Sequence, residues 1–284
     1  MADVDVFEDA LFTLFAHHQP ARGDPGSAGR YENAALPAWC ADAPDTPRAL
    51  AYWIPEASSA NTRLFAHHQW DAGVLLADLL VAHAPVDVRG RAVVELGAGT
   101  GLPSLAAAAC GAAQCTVTDY PDAHILAALE RNAAALQARA PHALPLQVQG
   151  LAWGNDAHAQ RACAAHGGPY DVVLAADVLW VSSQHENLLD SICALLARRP
   201  DARCLVVAGY HTGRPATERF FLAARTRGLV PDPASHLAGM YERSIFGEER
   251  ACAVAAPASD LGDISARAQW VRVGCLQWAP TALR

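Results

Sequence analysis

The sequence predicts an α/β fold in which a mostly parallel, seven-stranded sheet ends in an antiparallel hairpin. Between residues 71 and 228, apolar strand patterns alternate with helical patterns. Such alternation predicts parallel βαβ units joined by right-handed crossovers. Beyond residue 243, two further strand patterns follow one another with no convincing helix between them. Two strands joined by a loop form an antiparallel pair, so the predicted sheet is mixed at its C-terminal end.

The predicted elements fill residues 61–284, which we interpret as one domain. The first helix covers 71–84, where apolar residues recur at helical spacing. Strands are expected at 92–97, 115–119, 145–151, 170–177 and 202–210, and further helices at 103–110, 122–139, 185–198 and 215–228. The hairpin strands are expected at Arg243–Ala255 and Gln269–Trp278. Residues 1–60 are rich in Pro, Gly, Ala and Asp without a sustained period, which predicts a partly ordered N-terminal extension.

The composition limits the classes of partner. The formal net charge is −8, whereas a protein that binds nucleic acid through its phosphates needs a basic face. The longest apolar runs are interrupted well short of a membrane span, and the acidic start lacks the basic segment of a signal peptide. The eight cysteines form no CxxC pair, which is typical of free thiols in a reducing compartment. We therefore expect a cytoplasmic monomer without nucleic-acid or membrane partners.

The most informative segment is VVELGAGTGLP at residues 93–103. A short buried strand leads into alternating glycines, and a helical pattern follows. Glycine lets the backbone turn tightly and lets a ligand approach without a Cβ in the way, so Gly97, Ala98 and Gly99 predict a nucleotide-type cradle. The spacing is GxGxG rather than the GxGxxG of dinucleotide-binding proteins, with Glu95 two residues before the first glycine. This spacing is typical of class I S-adenosylmethionine (SAM) methyltransferases.

Side chains after the next two strands extend the candidate ligand site. Asp119 ends the second strand, 22 residues after Gly97, where a carboxylate can accept hydrogen bonds from both ribose hydroxyls of an adenosine ligand. Trp153 follows the third strand and can form the aromatic wall that an adenine ring needs. Both residues also have ordinary structural explanations, Asp119 as a helix cap and Trp153 as a packed residue of the core or rim.

The segment AADVLW ends the fourth strand, where an acceptor should meet the cofactor. Asp177 is the candidate group for orienting an acceptor amine, with a helix cap as its alternative role. Trp180 can attract a sulfonium or an ammonium through a cation–π interaction. Ala176 is small and lets its backbone come close to the cofactor.

Trp70, just before the first helix, is by sequence alone a candidate hydrophobic staple. Histidines near predicted element ends are weaker candidates, because a lone histidine there is more often structural than catalytic; these are His67, His68, His185 and His211. No metal site is expected, since adjacent histidines, such as the pairs at 17–18 and 67–68, rarely both face one ion.

Together these motifs resemble the lysine-methyltransferase-like branch of class I SAM methyltransferases, from about residue 64 to residue 278. More narrowly, they are similar to fungal enzymes first labelled nicotinamide N-methyltransferases and later assigned as protein N-terminal and lysine methyltransferases of translation elongation factor 1-alpha. The resemblance is carried by HHQWDAG, VVELGAGTGLPSL, TVTDYPD with Asn132 behind it, QGLAWGND and AADVLW.

The resemblance implies a Rossmann-like class I methyltransferase sheet with SAM as the cofactor. It implies that the cofactor is held by Trp70, the glycine loop, Asp119, Trp153 and Ala176. It also implies a protein acceptor, with elongation factor 1-alpha as the expected partner. The chain departs from related lysine methyltransferases at Trp180, where those enzymes usually have Tyr or Phe.

Three other functions stay open at this point. A small-molecule N-methyltransferase acting on nicotinamide would share the fold and the cofactor. An NAD-dependent oxidoreductase is disfavoured by the GxGxG spacing and by the lack of an obvious Tyr-x-x-x-Lys pair. A SAM-binding adaptor without activity is disfavoured by the intact motif around Asp177.

Overall fold

The computed structural model describes residues 21–56, 67–244, 246–253 and 269–283 and has the predicted α/β architecture. Four short strands precede the first described helix: β1 (Ala21–Arg22), β2 (Ala28–Glu32), β3 (Ala49–Trp53) and β4 (Gln69–Trp70). The strands of the main sheet are β5 (Ala92–Leu96), β6 (Gln114–Asp119), β7 (Leu146–Gly150), β8 (Val172–Ala176), β9 (Arg203–Gly209), β10 (Leu229–Pro231), β11 (Met240–Ser244), β12 (Glu249–Ala251) and β13 (Trp270–Trp278). The described α-helices are α1 (Asp71–Val81), α2 (Leu102–Ala109), α3 (Ala123–Arg139), α4 (Asp156–His166), α5 (His185–Leu195) and α6 (Arg214–Thr226).

The main sheet is mixed, as the sequence predicts. Its order is β12–β11–β13–β9–β8–β5–β6–β7, and β10 pairs with the far end of β13. The five strands β5 to β9 are parallel, whereas β13 runs antiparallel between β9 and β11. All five parallel strands therefore end at one edge, which we call the carboxyl edge.

Successive side chains of the central strands point to opposite faces of the sheet, which divides the apolar core into two layers. In β9, Leu205 and Val207 pack with α1, α2 and the β2–β3 hairpin, whereas Cys204 and Val206 pack with α4, α5 and α6. Residues two apart on a strand point to the same face, so the sheet is covered on both sides. In an open α/β sheet of this kind, ligands bind outside the carboxyl ends of the strands.

Residues 28–56 form an ordered part of the molecule. Strands β2 and β3 pair antiparallel, and apolar side chains of this hairpin and the residues next to it are buried in the same cluster as α1 and α2; among them are Tyr31, Leu36, Leu50, Tyr52 and Ile54. The predicted domain boundary at residue 60 lies outside the described residues, as does the first histidine pair at 17–18.

The sheet differs from the sequence-based expectation in its number of strands, because the described residues contribute nine strands to it where the sequence predicts seven. One added strand is β10, a three-residue strand that is too short to give a pattern in the sequence. Two further segments also differ. The predicted strand Arg243–Ala255 is instead two short strands, β11 and β12, which pair with each other across a turn at Gly247. Gly247 has φ +85°, a conformation that ends an extended strand. Helix α4 was not predicted, because only Ala159 and Ala162 are buried on it and its apolar stripe is correspondingly narrow. Within the described part of the chain, every helix falls short of the length and hydropathy needed to cross a membrane.

Candidate active site

A cleft of about 490 Å³ opens at the carboxyl edge, where β5, β6 and β8 end. The elements that line it are the segment before α1, the loop after β5 and the segments after β6, β7 and β8. The structure brings all ten residues singled out in the sequence to this cleft: Trp70, Glu95, Gly97, Ala98, Gly99, Asp119, Trp153, Ala176, Asp177 and Trp180. Residues separated by more than 100 positions in sequence thus share one cavity because parallel strands end together.

The loop after β5 requires glycine for two different reasons. Gly97 has φ +68° and Gly99 has φ +56°, both in the left-handed region that side chains with a Cβ rarely adopt. A Cβ on Gly97 would also lie 2.7 Å from Val178 Cγ1 and 3.0 Å from Trp153 Cζ2. The loop is therefore packed against its neighbours at Gly97, and its two glycines have no side chain that would project into the cleft.

Glu95 lies under this loop and is 1% exposed. Its Oε2 accepts hydrogen bonds from Ser104 N–H at 3.0 Å and from Ser104 Oγ at 2.5 Å, at the start of α2. Its Oε1 is buried without a hydrogen-bond partner among the described residues. Burial outweighs the two serine bonds and raises the pKa of Glu95 to about 8. The site thus contains a carboxyl group that lacks a donor or a cation at one oxygen.

Asp119 is fixed at the end of β6 by backbone donors. Its Oδ2 accepts from Gly99 N–H at 2.8 Å, and its Oδ1 accepts from Tyr120 N–H at 2.6 Å. Burial raises the pKa of Asp119 to about 6, and the two backbone bonds oppose that rise. Each carboxylate oxygen keeps a further lone pair for a ligand, since an ionised carboxylate has about four acceptor sites.

Asp177 follows β8 in a left-handed conformation, with φ +57°. Its Oδ1 accepts from Gly209 N–H at 3.0 Å and lies 2.8 Å from His211 Nε2. Both partners follow or end β9, the next strand in the sheet. Non-glycine residues in this region of φ/ψ are uncommon and cluster at functional sites, where the surrounding structure holds them.

His211 is the residue that sequence reasoning ranked too low. Its ring packs edge-on against Trp70, with centroids 5.4 Å apart, so it lies between Trp70 and Asp177. The only available signal was its place directly after the strand that neighbours β8. His185, ranked equally, is structural, because it is buried, bonds Leu179 O at 2.9 Å and packs on Phe220.

The other two histidines lie before β4. His67 is 4% exposed and its ring lies 4.3 Å from that of His68, which lines the cleft and packs edge-on against Trp70 at 5.6 Å. Burial, followed by the neighbouring His67, lowers the pKa of His68. The described residues contain no group of three or more side chains that could hold a metal ion.

Comparison with known proteins agrees with this geometry. A family model described as lysine methyltransferase matches residues 56–227, which is more than half of the chain. Two curated relatives are both named protein N-terminal and lysine N-methyltransferase. The relative from Yarrowia lipolytica is 36% identical over 204 residues, covering 67% of this chain and 74% of its own length. The relative from Emericella nidulans is 33% identical over 174 residues, covering 59% of this chain and 67% of its own length.

Solved structures show more distant similarity. The ribosomal protein L11 methylase from Lactobacillus delbrueckii subsp. bulgaricus superposes with a TM-score of 0.43 at 15% identity, covering 80% of this chain and 82% of that chain. From the family match and the curated relatives, the chain belongs to the lysine methyltransferase family and is a SAM-dependent methyltransferase.

Proposed function

We propose that this enzyme methylates a protein amine, either the N-terminal α-amine or an adjacent lysine, and that elongation factor 1-alpha is the acceptor. The names of the curated relatives support a protein acceptor, and the resemblance of the motifs supports the elongation factor. The observation that carries the proposal is the Asp177 carboxylate, which lines the same cleft as the glycine loop and is held there by Gly209 and His211. We further propose that the enzyme acts as a monomer in the cytoplasm.

The residues of the cleft fit SAM. The unpartnered Glu95 Oε1 matches a ligand that carries positive charge, and the open space beside Gly99 leaves room for it. Asp119 presents carboxylate lone pairs to ribose hydroxyls, and Trp153 lies beside Gly97 as an adenine wall. When bound, SAM supplies an electrophilic methyl group on a sulfonium sulfur. We propose Trp70 and Ala176 as further contacts of the cofactor.

We assign Asp177 the task of orienting the acceptor. Methyl transfer to nitrogen is an in-line displacement, so the enzyme must align the amine with the methyl group at near-attack distance. A carboxylate attracts the ammonium form and also raises its pKa, which makes Asp177 an orienting group and a poor base. The proton then leaves to water or to a transient base. Trp180 offers a ring face to the same cation.

The acceptor amine must be neutral when it attacks. At pH 7 an α-amine with a pKa near 7.7–8.0 is roughly 10–17% neutral, whereas a lysine near 10.4 is about 0.04% neutral. An N-terminal amine therefore needs much less help with deprotonation than a lysine does. An orienting carboxylate by itself therefore suits the N-terminal amine better, and a lysine acceptor requires a base in addition.

The test uses purified enzyme and tritiated SAM with three acceptors: a fungal lysate, purified elongation factor 1-alpha and nicotinamide. We expect one labelled band from the lysate, the same mass as the purified factor, and mass spectrometry of its N-terminal peptide should locate the methyl groups. Labelling of nicotinamide with unlabelled protein would contradict the proposal and identify a small-molecule enzyme.

A further inference from the structure

Asn132 connects parts of the molecule that are far apart in sequence. It lies on α3 and is 2% exposed. Its Nδ2 donates to the carbonyl oxygens of Trp53 and Thr100, both at 2.9 Å, and its Oδ1 accepts from Trp53 N–H at 2.6 Å. Both amide hydrogens and the amide oxygen are thus used. One buried side chain joins the end of β3 to the glycine loop.

Helix α3 holds the outer edge of β3 at both ends. Arg139 donates to Ala49 O at 3.2 Å, and the Arg131 guanidinium lies 3.7 Å from the centre of the Trp53 ring. Asn132 and Arg139 are seven residues apart and so lie on the same face of the helix. They bond the last and the first residue of β3, so the β2–β3 hairpin docks on this helix along the whole of β3.

The bonds continue from Thr100 into the cofactor cleft. Thr100 Oγ1 donates to Gln69 Oε1, and Gln69 Nε2 donates to Trp70 O at 2.9 Å. Thr100, Gln69 and Trp70 all line the cleft. A Cβ on Gly73 would lie 2.6 Å from Gln69 Nε2, so this amide packs directly on α1. The hairpin is thus connected to the cleft through consecutive hydrogen bonds.

We propose that Asn132 is a positioning residue of the cofactor site, through which docking of the β2–β3 hairpin and binding of SAM are linked. The docked hairpin holds Thr100 and so raises the affinity for SAM. By thermodynamic reciprocity, bound SAM holds Thr100 and so slows opening of the hairpin. Residues 28–56 are then a working part of the methyltransferase. This inference uses the cofactor alone and is independent of the acceptor.

The first experiment measures SAM affinity by calorimetry without any acceptor. Asn132→Ala should weaken SAM binding at least about tenfold, and Thr100→Val, which keeps the side-chain shape and removes the bond to Gln69, about threefold or more. The matched control is Gln137→Ala on the same helix. Gln137 also bridges two backbone groups, Leu144 N–H at 2.7 Å and His142 O at 3.2 Å, but on the side away from the glycine loop. It should leave SAM affinity within twofold.

The second experiment separates linkage from a general loss of stability. In the wild-type protein, saturating SAM should slow amide hydrogen exchange in β3 at least about fivefold. In Thr100→Val the slowing of exchange should fall below twofold. If Asn132→Ala does not fold, the Thr100→Val variant alone tests the link between SAM binding and hairpin docking. Unchanged SAM affinity in Thr100→Val, or full slowing of exchange in that variant, would overturn the proposal. Failure to find a protein acceptor would affect neither measurement.

Discussion

The two halves of the cleft are built differently. On the proposed cofactor side, Glu95, Gly97 and Asp119 belong to the ends of β5 and β6 or the turn directly after them, and Asp119 is held there by two backbone N–H donors. On the proposed acceptor side, Asp177 has a left-handed backbone conformation and accepts from Gly209 N–H, and its Oδ1 also contacts His211, a side chain from the segment after the neighbouring strand. Asp119 is therefore positioned by backbone groups, whereas Asp177 depends on a side chain as well.

The variant with the largest expected effect tests whether catalysis can be lost while SAM binding is kept. Asp177→Asn removes the charge and keeps a residue that tolerates the left-handed conformation. We expect kcat to fall about 100-fold or more, while SAM affinity measured by calorimetry stays within threefold. Asp190→Asn, which removes an exposed carboxylate paired with Arg227, is the control and should change neither quantity. A tenfold loss of SAM affinity in Asp177→Asn would place Asp177 in the cofactor half.

The converse change is Asp119→Ala, on the cofactor side. It removes the proposed ribose acceptor and the bond to Gly99 N–H, so SAM affinity should fall at least about tenfold. At saturating SAM, kcat should recover to within about threefold of the wild-type value. Unchanged SAM affinity in calorimetry would contradict the assignment of Asp119 as the acceptor for the ribose hydroxyls.

The pH dependence of SAM binding reports on Glu95. Its pKa of about 8 means that the carboxyl is protonated at pH 6, whereas a cationic ligand favours the ionised form. If only the ionised form binds, ionisation of Glu95 should raise the affinity about ninefold between pH 6 and pH 7, in proportion to the ionised fraction. Asp119, with a pKa of about 6, contributes about twofold over the same range, so the affinity of the wild-type enzyme should rise about 17-fold in total. Glu95→Gln should therefore reduce the rise to about twofold, and a full rise in that variant would contradict the assignment.

Variants of His211, with a smaller expected effect, test whether this residue positions Asp177 or only packs against Trp70. His211→Ala removes the partner of Asp177 Oδ1, and we expect kcat to fall about fivefold with SAM affinity within threefold. His211→Gln places an N–H donor at similar reach and should restore kcat to within twofold. If both variants lose the same activity, the ring packs against Trp70 and does not position Asp177.

The smallest expected effect is that of the conservative substitution Trp180→Phe. Trp180→Phe keeps an aromatic face beside the acceptor, as the usual residue of related lysine methyltransferases would, so kcat/KM for the protein acceptor should change less than about threefold. Trp180→Ala should lower it more than tenfold. Equal activity of the Phe and Ala variants would show that the ring does not contact the acceptor.

The placement of the proposed cofactor residues at one cleft was predictable because it follows from local rules. A glycine that must adopt a positive φ and an acidic residue at a strand end are visible in one segment of sequence, and parallel pairing brings such segments together. His211 was not predictable in this way, because its contact with Asp177 depends on which strand lies beside β8. The same holds for Asn132, whose three bonds join residues 53, 100 and 132. Helix α4 escaped prediction because few of its side chains are buried.

The place of β13 has a consequence during synthesis of the protein. This strand pairs with β9 on one side and with β11 on the other, and its Trp278 is 2% exposed. Until residue 278 has left the ribosome, β9 and β11 both present unpaired backbone, and unpaired strand edges are where chains aggregate. Nascent chains that stall before β13 should therefore depend on chaperones, although the whole cofactor cleft has already been translated.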